Sequence, residues 1–439
     1  MIPIYHTAVA TERQKVEALL RRLRLDPIEL ATGGGQFAKE AAETQKVIAD
    51  VAKRGDAALV DIAKEFDDPN FTQAQIRVPT SELEQAVGRV PQPQIIALRR
   101  AIHNVREYQT HFLPKSPASL LRDGATLGMK FTPLDSVGIY FPGGKAAYPS
   151  TLVMLAVPAQ VAGVQRIVVC TPPSRFGRSD LVLAACHELG LKDVFMVGGA
   201  AAIAAMAFGT NTIPAVDKVV GPGNRHSQLA KRAIFGGVGA DGFLGPSEIL
   251  VIADETGNPQ YIAADLLAQA EHDPGSCFLL TNSDPLAAAV VKEIGKQIKS
   301  LSRAKAIEKA LKEYSGIVVG PTLGAMIDLA NYFACEHVSL QTKENEALLG
   351  KLKHAGAVFM GPFSPVAAGD YVAGPSHCLP TNTTARFSSG VSVYEFLKRT
   401  SVVKYDAEGL ARDQSTIVAL AAAEGLDAHA VSAKIRKTE

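Results

Sequence analysis

The densest group of potentially reactive side chains ends a helix in the middle of the chain. The stretch AADLLAQAEHDPGSCFLLTN predicts an apolar helix from 260 to 272 that ends in Gln269, Glu271, His272 and Asp273. Gln269 and His272 are three residues apart and share a helix face, whereas Glu271 points elsewhere. The pair could hold one small target. Taken alone, however, this stretch is better explained as a polar helix end that opens to solvent.

Further acid and histidine side chains occur later in the chain. They are Glu336 with His337, Asp370 with His377, and Glu424 with His429. Neighbouring residues of a strand point to opposite faces, so Glu336 and His337 could address one substrate only at a bend or a strand end. Each histidine by itself fits a structural or surface role better than a catalytic one.

A set of nitrogen and oxygen ligands can nevertheless be assembled from these segments. Gln269, His272, Asp370 and His429 would suit a zinc ion that performs no redox chemistry and leaves room for a substrate. Their spacing in the sequence does not establish that they meet.

Two glycine-rich turns are candidate anion sites. In VVGPGNRHSQLAKR a strand leads through a turn into a helix, so backbone N–H groups and the helix dipole are available to a phosphate. In YFPGGKAAYPS, residues 140 to 150, the glycines let a ligand approach the backbone closely. Both turns are also compatible with ordinary strand-to-helix loops. The common nucleotide-binding and hydrolase motifs, such as G-x-G-x-x-G and G-x-S-x-G, are absent from the sequence.

The elements that would position these residues alternate between strand and helix. Helical periodicity covers 12 to 30 and 36 to 65. From 136 onward, β-branched runs such as RIVVCTPP alternate with Ala-rich helices, and the pattern restarts at EILVIAD, which predicts two parallel α/β units. The end of the chain reads as two short helices separated by Glu424-Gly425-Leu426, which pack on their own core or reach a neighbour.

Composition favours a small-molecule partner. Lys plus Arg total 45 against 44 for Asp plus Glu, so no charge excess favours nucleic acid or an anionic membrane. The N-terminus lacks a secretory pattern and no run of about 18 apolar residues occurs, so we expect a cytoplasmic protein. The five cysteines are widely spread, and we expect them to be reduced and buried.

A set of motifs gives these observations a common origin. In order from 140 to 429 they are YFPGG, GPGN, GPSE, QAEHDP, EHVSL, GDYVAGPSHCLPT, ARFSSGVSV and EGLDAH, and together they resemble the histidinol dehydrogenase family. The resemblance implies an α/β fold of two incomplete Rossmann-like domains with parallel sheets, plus helical N- and C-terminal extensions that intertwine in a homodimer. It implies an NAD- and zinc-dependent enzyme of histidine biosynthesis that oxidises L-histidinol to L-histidine through L-histidinal with two NAD.

The resemblance also implies a role for each candidate residue. One zinc per subunit would be bound by Gln269, His272, Asp370 and, from the partner subunit, His429. His337 would accept the alcohol proton, and Glu336 would activate water at the aldehyde stage. Substrate would contact Ser247, His377 and Glu424 as well as the metal ligands and His337, and NAD would contact Tyr140 and Asn224.

The domain boundaries follow from the resemblance and the element pattern. We expect an N-terminal helical arm over 1–30 and a first α/β domain over 31–130 and 245–390 that holds zinc and substrate. A second α/β domain over 131–244 would bind NAD, and a C-terminal helical tail over 391–439 would reach the partner subunit, so that the active sites are shared.

Some positions depart from the family pattern. Ala201 replaces a glutamine that contacts NAD, Cys335 stands where proline is usual before the Glu-His pair, and LPTNTTAR replaces a glycine-rich version. Two alternatives stay open: a paralogous zinc- and NAD-dependent dehydrogenase of another small polyol such as sulfopropanediol, and a zinc-binding pseudoenzyme.

Overall fold

The computed structural model describes residues 2–143, 146–242, 245, 247–272 and 275–436, apart from the side chain of Gln36. Its strands are β1 Ile4–His6, β2 Leu120–Arg122, β3 Ala125–Pro133, β4 Ser136–Tyr140, β5 Arg166–Thr171, β6 Asp193–Met196, β7 Lys218–Val220, β8 Gly239–Ala240, β9 Glu248–Ala253, β10 Ser276–Thr281, β11 Gly316–Val319, β12 His337–Gln341, β13 Ala357–Met360 and β14 Leu397–Tyr405. Strands β4 to β8 form sheet I, strand β1 with β9 to β13 forms sheet II, and β2, β3 and β14 form sheet III.

The helices alternate with these strands. They are α1 Ala10–Leu23, α2 Pro27–Thr32, α3 Ala38–Arg54, α4 Asp56–Phe66, α5 Thr80–Arg89, α6 Gln92–His111, α7 Pro149–Ala162, α8 Asp180–Glu188, α9 Gly199–Phe208, α10 Arg225–Ile234, α11 Pro259–Ala270, α12 Asp284–Gln297, α13 Ala304–Glu313, α14 Leu323–Phe333, α15 Asn345–Leu349, α16 Val366–Tyr371, α17 Ala407–Ala423 and α18 Asp427–Lys434. The predicted α/β class with parallel sheets is confirmed. Among the described helices, none has the length and apolar character needed to cross a membrane.

Sheet I is a five-stranded parallel sheet in the order β6-β5-β4-β7-β8. The chain runs outward from β4 through β5 to β6 and then returns to the other side of β4, so the direction of winding reverses between β4 and β7. Such a reversal leaves a crevice at the carboxyl ends of the two strands, where ligands bind in doubly wound sheets.

One core cluster joins sheet I to helices from both sides of it in the sequence. Buried side chains of α7, α8 and α9 share this cluster with residues of α3 to α6, such as Leu59, Leu83 and Val105. We predicted that 31–130 belongs with 245–390, whereas these helices pack on sheet I. The physical reason is a backbone connection: Val78 donates its N–H to the oxygen of Val194 at 2.9 Å, so the early helices lie alongside β6.

Sheet II is a six-stranded parallel sheet in the order β1-β11-β10-β9-β12-β13. All residues of EILVIA in β9 and SCFLLT in β10 are buried, as expected for strands covered by helices on both faces. One core cluster packs α11, α12 and α13 on one face, and another packs α1 and α14 on the other. The segment 1–30, predicted as a helical arm, contributes β1 to this sheet and packs α1 on it.

Helix α11 is the element that carries Gln269. Asn258 caps its first turn by accepting the N–H of Gln260 at 2.9 Å, and Pro259 stands at the first helical position, where no N–H is needed. The predicted helix from 260 to 272 is therefore confirmed within two residues at its C-terminal end, where α11 stops at Ala270.

Sheet III is antiparallel and joins the C-terminal strand β14 to β2 and β3 from the first third of the chain. Strand β14 pairs with β3 from Leu397 opposite Pro133 to Tyr405 opposite Ala125. The tail predicted as helical from 391 therefore contains strand β14 before its helices. This strand forms because β3 pairs with it over nine residues, and β3 lies too far away in the sequence for a local pattern to predict the pairing. Helices α17 and α18 follow, separated at Glu424-Gly425-Leu426 as predicted.

Candidate active site

A cleft of about 770 Å³ lies between the carboxyl edge of sheet I and the amino edge of sheet II. Its sheet I wall includes residues that follow β4 and β7 or begin α7, namely Pro142, Tyr148, Ser150, Thr151, Pro222, Gly223 and Asn224. Its sheet II wall includes residues that precede or begin β9, β10 and β12, together with the loop after α16. The facing edges therefore place His272, the Glu336-His337 pair and the glycine-rich turn at Asn224 around one space.

Glu336 and His337 stand at the start of β12. His337 is the first residue of the strand and Glu336 immediately precedes it. The pair therefore lies at a strand end, where both side chains can face one substrate, as predicted. Both line the cleft and each is 4 % exposed. Nδ1 of His337 lies 3.5 Å from Oε2 of Glu336, which shows that the two side chains turn toward one place.

The imidazole of His337 is held in one tautomer. Its Nδ1 lies 2.9 Å from the backbone oxygen of Glu248, and because a carbonyl only accepts, Nδ1 carries the proton. Nε2 is then a bare lone pair with no hydrogen-bond partner in the described part of the chain, 3.8 Å from Oδ1 of Asp370. Burial lowers the pKa of His337 to about 4, so the ring is neutral at physiological pH.

Two buried carboxyl groups lie beside this histidine. Oε2 of Glu336 accepts the backbone N–H of Glu248 at 2.8 Å, and burial raises the pKa of Glu336 well above its usual value. Glu248 itself accepts the N–H of Asn382 at 3.0 Å, and burial raises its pKa to about 7. These groups form a desolvated acid-base cluster of the kind found at catalytic sites.

Two of the four predicted zinc ligands, His272 and Asp370, line the cleft. Gln269 is buried near the end of α11, three residues before His272, and its Nε2 has no hydrogen-bond partner among the described residues. Burial lowers the pKa of His272 and raises that of Asp370 to about 6. Asp273, also noted in the sequence, lies outside the described residues.

This donor set fits a divalent cation. A metal needs a neutral imidazole and stabilises a desolvated carboxylate, which is what His272 and Asp370 provide. Rotating the Gln269 amide by 180° exchanges its oxygen and nitrogen. The amide oxygen would then occupy the buried position where Nε2 has no partner among the described residues, and it could bind a metal there. Among the described residues, no group of three or more His, Cys, Asp or Glu side chains is arranged to hold a metal.

His377 and Ser247 also line the cleft. Nδ1 of His377 lies 2.8 Å from the backbone oxygen of Asp370, and its Nε2 lies 3.0 Å from the hydroxyl of Thr151. The hydroxyl of Ser247 hydrogen-bonds to Glu336 and lowers the pKa of that carboxyl, against the larger effect of burial.

The sheet I wall contains the predicted glycine-rich turn of VVGPGN. Gly221 has φ +123°, and a Cβ there would lie 1.8 Å from the backbone oxygen of Tyr140, so only glycine fits. Asn224 lines the cleft and caps α10 by accepting the N–H of Ser227 at 3.0 Å. Tyr140 is 3 % exposed and lies beneath this turn, where its hydroxyl accepts the N–H of Gly199 at 3.1 Å.

A buried ion pair supports the same turn. Nζ of Lys231 donates to the backbone oxygen of Gly221 at 2.8 Å and to Oδ1 of Asp241 at 2.6 Å. Oδ2 of Asp241 accepts the N–H of Gly221 at 2.7 Å. The backbone N–H and oxygen of Gly221 are thus both hydrogen-bonded to this ion pair, whose Lys231 and Asp241 side chains are 2 % and 0 % exposed. Ala201 is buried in α9 and does not line the cleft.

The other two predicted site residues are not brought to this cleft within the chain. Glu424 ends α17 and His429 lies in α18, and both are exposed. Their helices pack on each other, and sheet III beside them leaves apolar side chains such as Leu121 and Val403 uncovered, at 76 % and 66 % exposure.

The structure adds cleft residues to which the sequence motifs assign no role. They are Glu248 of GPSE, Thr151, and Arg22 to Leu25 at and just after the end of α1. The only sequence signal for Glu248 was an acid at the start of an apolar strand. The predicted burial of the five cysteines is confirmed, and Cys378 lies at the cleft.

Two parallel α/β units with a buried acid-base pair and a glycine-rich turn on one cleft define an α/β enzyme that acts on small molecules. The chain belongs to the histidinol dehydrogenase family, a family of oxidoreductases, because the family model for histidinol dehydrogenase matches residues 33–437.

Individual relatives agree with the family match. The histidinol dehydrogenase of Halalkalibacterium halodurans is 47% identical over 392 residues, which cover 89% of this chain and 92% of the relative. That of Bacillus subtilis is 46% identical over 395 residues, covering 90% and 92%. The crystal structure of histidinol dehydrogenase from Elizabethkingia anophelis superposes with a TM-score of 0.89 at 32% identity, covering 99% of this chain and 98% of that one.

Proposed function

We propose that this protein is a zinc-dependent enzyme that oxidises L-histidinol to L-histidine through L-histidinal, reducing two NAD, in the last steps of histidine biosynthesis. The observation that carries the proposal is the bare Nε2 of His337, buried 3.8 Å from Oδ1 of Asp370 on a cleft that also holds His272. The neutral imidazole presents this lone pair beside a metal-type donor set, which is the position needed to accept a proton from a bound alcohol.

The dinucleotide is assigned to the sheet I wall. The reversal between β4 and β7 opens at the turn from Gly221 to Asn224, and α10 begins at the end of this turn, so the positive end of its helix dipole lies where a pyrophosphate would bind. Asn224 would contact the dinucleotide directly. Tyr140 lies under the turn, so its contribution in the present conformation would be to support the turn, through the ring that packs near Gly223.

Zinc is assigned to Gln269, His272 and Asp370, with His429 of a partner subunit as the fourth ligand. When bound, the metal would hold the imidazole and amino nitrogens of histidinol and so orient the alcohol carbon. Two observations support this assignment: the buried Nε2 of Gln269 has no hydrogen-bond partner among the described residues, and the carboxylate of Asp370 is desolvated.

His337 performs the first proton transfer in this scheme. The backbone oxygen of Glu248 holds the proton on Nδ1, so Nε2 is free to take the hydroxyl proton while a hydride leaves the alcohol carbon for NAD. Burial keeps bulk water from competing for that lone pair.

Glu336 serves the second oxidation. At the aldehyde stage its carboxylate takes a proton from a water that attacks the aldehyde carbon, and the second hydride then leaves for NAD. The N–H of Glu248 and the hydroxyl of Ser247 position this carboxyl group. Its raised pKa makes the ionised form a stronger base than an exposed glutamate.

The active sites are shared within a homodimer. Glu424 and His429 are exposed on helices that lie away from the chain's own cleft, and the uncovered apolar side chains of sheet III suit a subunit interface. In this arrangement each cleft would receive Glu424 and His429 from the tail of the partner.

The test is the formation of NADH by the zinc-loaded protein with L-histidinol and, separately, with sulfopropanediol. We expect two NADH per histidinol consumed and no turnover of sulfopropanediol. Turnover of sulfopropanediol alone would identify a paralogous polyol dehydrogenase, and zinc binding without turnover of either alcohol would identify a pseudoenzyme in which Ala201 has weakened NAD binding.

A further inference from the structure

One hydrogen bond crosses the cleft from the sheet I wall to the substrate side. The hydroxyl of Thr151 lies 3.0 Å from Nε2 of His377, a residue 226 positions later in the chain. Thr151 belongs to α7, whose buried residues form part of the sheet I core. His377 lies in the loop that follows α16, the helix that carries Asp370.

The direction of this bond follows from the other nitrogen of the ring. Nδ1 of His377 lies 2.8 Å from the backbone oxygen of Asp370, which only accepts, so the proton is on Nδ1. Nε2 therefore presents a lone pair, and the hydroxyl of Thr151 is the donor. Both ring nitrogens are engaged, one from each side of the cleft, so the ring cannot flip without losing both bonds.

The hydroxyl of Thr151 has no competing task in its own helix. Thr151 is the third residue of α7 and Tyr148 occupies the cap position without a side-chain cap bond, so the hydroxyl of Thr151 does not cap the helix. Thr151 is 4 % exposed, and its bond to His377 is the hydrogen bond that the structure gives its hydroxyl. A buried hydroxyl aimed at a cleft histidine indicates a functional constraint.

We infer that Thr151 is a positioning residue: its hydroxyl donates to Nε2 of His377 and holds that imidazole in the orientation in which it meets the amino alcohol. The inference rests on the proposed function. The wall that holds the dinucleotide thereby also sets the geometry of a residue that contacts the substrate.

The first test compares two substitutions at this position in the zinc-loaded dimer. Thr151→Val keeps the shape and removes the donor, and we expect kcat/KM for L-histidinol to fall roughly three- to tenfold through a higher KM, the scale of one neutral hydrogen bond. The KM for NAD should not change, because the turn at Gly221 is untouched. Thr151→Ser keeps the donor and should retain near wild-type values.

A double-mutant cycle with His377→Asn separates positioning from a general loss of structure. If Thr151 acts through His377, then Thr151→Val should cost nothing further in the His377→Asn background. Equal losses in both backgrounds, equal losses for the valine and serine variants, or an unchanged KM for L-histidinol in Thr151→Val would each overturn the inference. Thr151→Ala replaces the valine variant if the latter unfolds at a lower temperature than wild type.

A second readout needs no turnover. In protein labelled with ¹⁵N-histidine, the ring signals of His377 are those absent from His377→Asn. We expect the Nε2 signal of His377 to shift in Thr151→Val and to stay in place in Thr151→Ser, whereas an unmoved signal in Thr151→Val would exclude the bond. If wild type does not oxidise L-histidinol, the proposed function and the substrate role of Thr151 both fail, and the spectrum still decides whether the bond exists.

Discussion

The backbone oxygen of Glu248 lies 2.9 Å from Nδ1 of His337 and holds the proton on that nitrogen, which leaves Nε2 as the basic atom. The N–H of the same Glu248 binds Oε2 of Glu336 at 2.8 Å. The backbone N–H and oxygen of one residue at the start of β9 thus orient both side chains to which we assign proton transfer. Because the contacts are made by backbone atoms, substitution of the Glu248 side chain need not abolish them.

The two proton-transfer residues should fail at different stages. His337→Ala should slow formation of the first NADH from L-histidinol by about 10² to 10⁴, the usual contribution of a general base. Glu336→Gln should slow oxidation of supplied L-histidinal more than formation of the first NADH, because only the aldehyde stage needs an activated water. Single-turnover measurements of both half-reactions test this division, and equal losses for both variants in both half-reactions would contradict it.

Removal of the metal should abolish activity. An N/O ligand set without thiolates should release its metal to a chelator, and added zinc should restore turnover. His272→Ala should bind less zinc than wild type, whereas His103→Ala, an exposed histidine of α6, should bind the same amount. Full activity in protein shown by elemental measurement to be metal-free would disprove the assignment of Gln269, His272 and Asp370.

Two inactive variants should complement each other in a mixed dimer. His272→Ala removes a ligand from the cleft side and His429→Ala removes one from the tail of the partner, so each homodimer should be nearly inactive. A heterodimer has one site with both defects and one intact site, and should recover about half the wild-type activity if the sites are independent. Purified heterodimers as inactive as their parents would show instead that the tail serves its own chain.

The carboxyl group of Glu248 should make stability depend on pH. Its pKa is about 7 in the folded protein against a reference of 4.5, so the folded state holds the proton more tightly than the unfolded state. The contribution of Glu248 to the free energy of unfolding therefore decreases as the pH rises from 4.5 to 7. The loss is on the order of 3 kcal/mol at most. Glu248→Gln keeps an acceptor for the N–H of Asn382 and cannot ionise.

The free energy of unfolding of Glu248→Gln relative to wild type should therefore rise between pH 4.5 and 7 and level off above it. Denaturant unfolding of both proteins at several pH values measures this difference. A difference that is constant from pH 4.5 to 8 would show that Glu248 has an ordinary pKa.

The buried pair beneath Gly221 should be far more sensitive than a surface pair. Lys231→Met leaves Asp241 charged and unpaired in the core, which costs about 3–5 kcal/mol. Arg77→Met breaks an ion pair with Asp193 at 2.7 Å that is half exposed, and should cost about 1 kcal/mol or less. Unfolding by denaturant compares the two variants, and similar losses would show that the buried pair has no special role.

The pattern of short apolar strands and helices already identified parallel α/β units, because burial on both faces requires strands such as EILVIA to be apolar throughout. Sequence motifs also identified the family, since the residues that do its chemistry recur in a fixed order. The three-residue spacing predicted that Gln269 and His272 share a helix face; α11 instead stops at Ala270, and His272 lies in the turn that follows, where its N–H bonds to the oxygen of Gln269 at 3.2 Å.

Only the tertiary structure brought Glu336, His337, Asp370 and His377 to one cleft, because these residues lie on separate elements whose meeting depends on how two sheet edges face each other. The same applies to the packing of α3 to α6 on sheet I and to the pairing of β14 with β3. Contacts across hundreds of residues leave no periodic trace in the sequence. The tautomer of His337 and the partner of Thr151 are set by single backbone and side-chain atoms that only the folded chain brings within hydrogen-bonding distance.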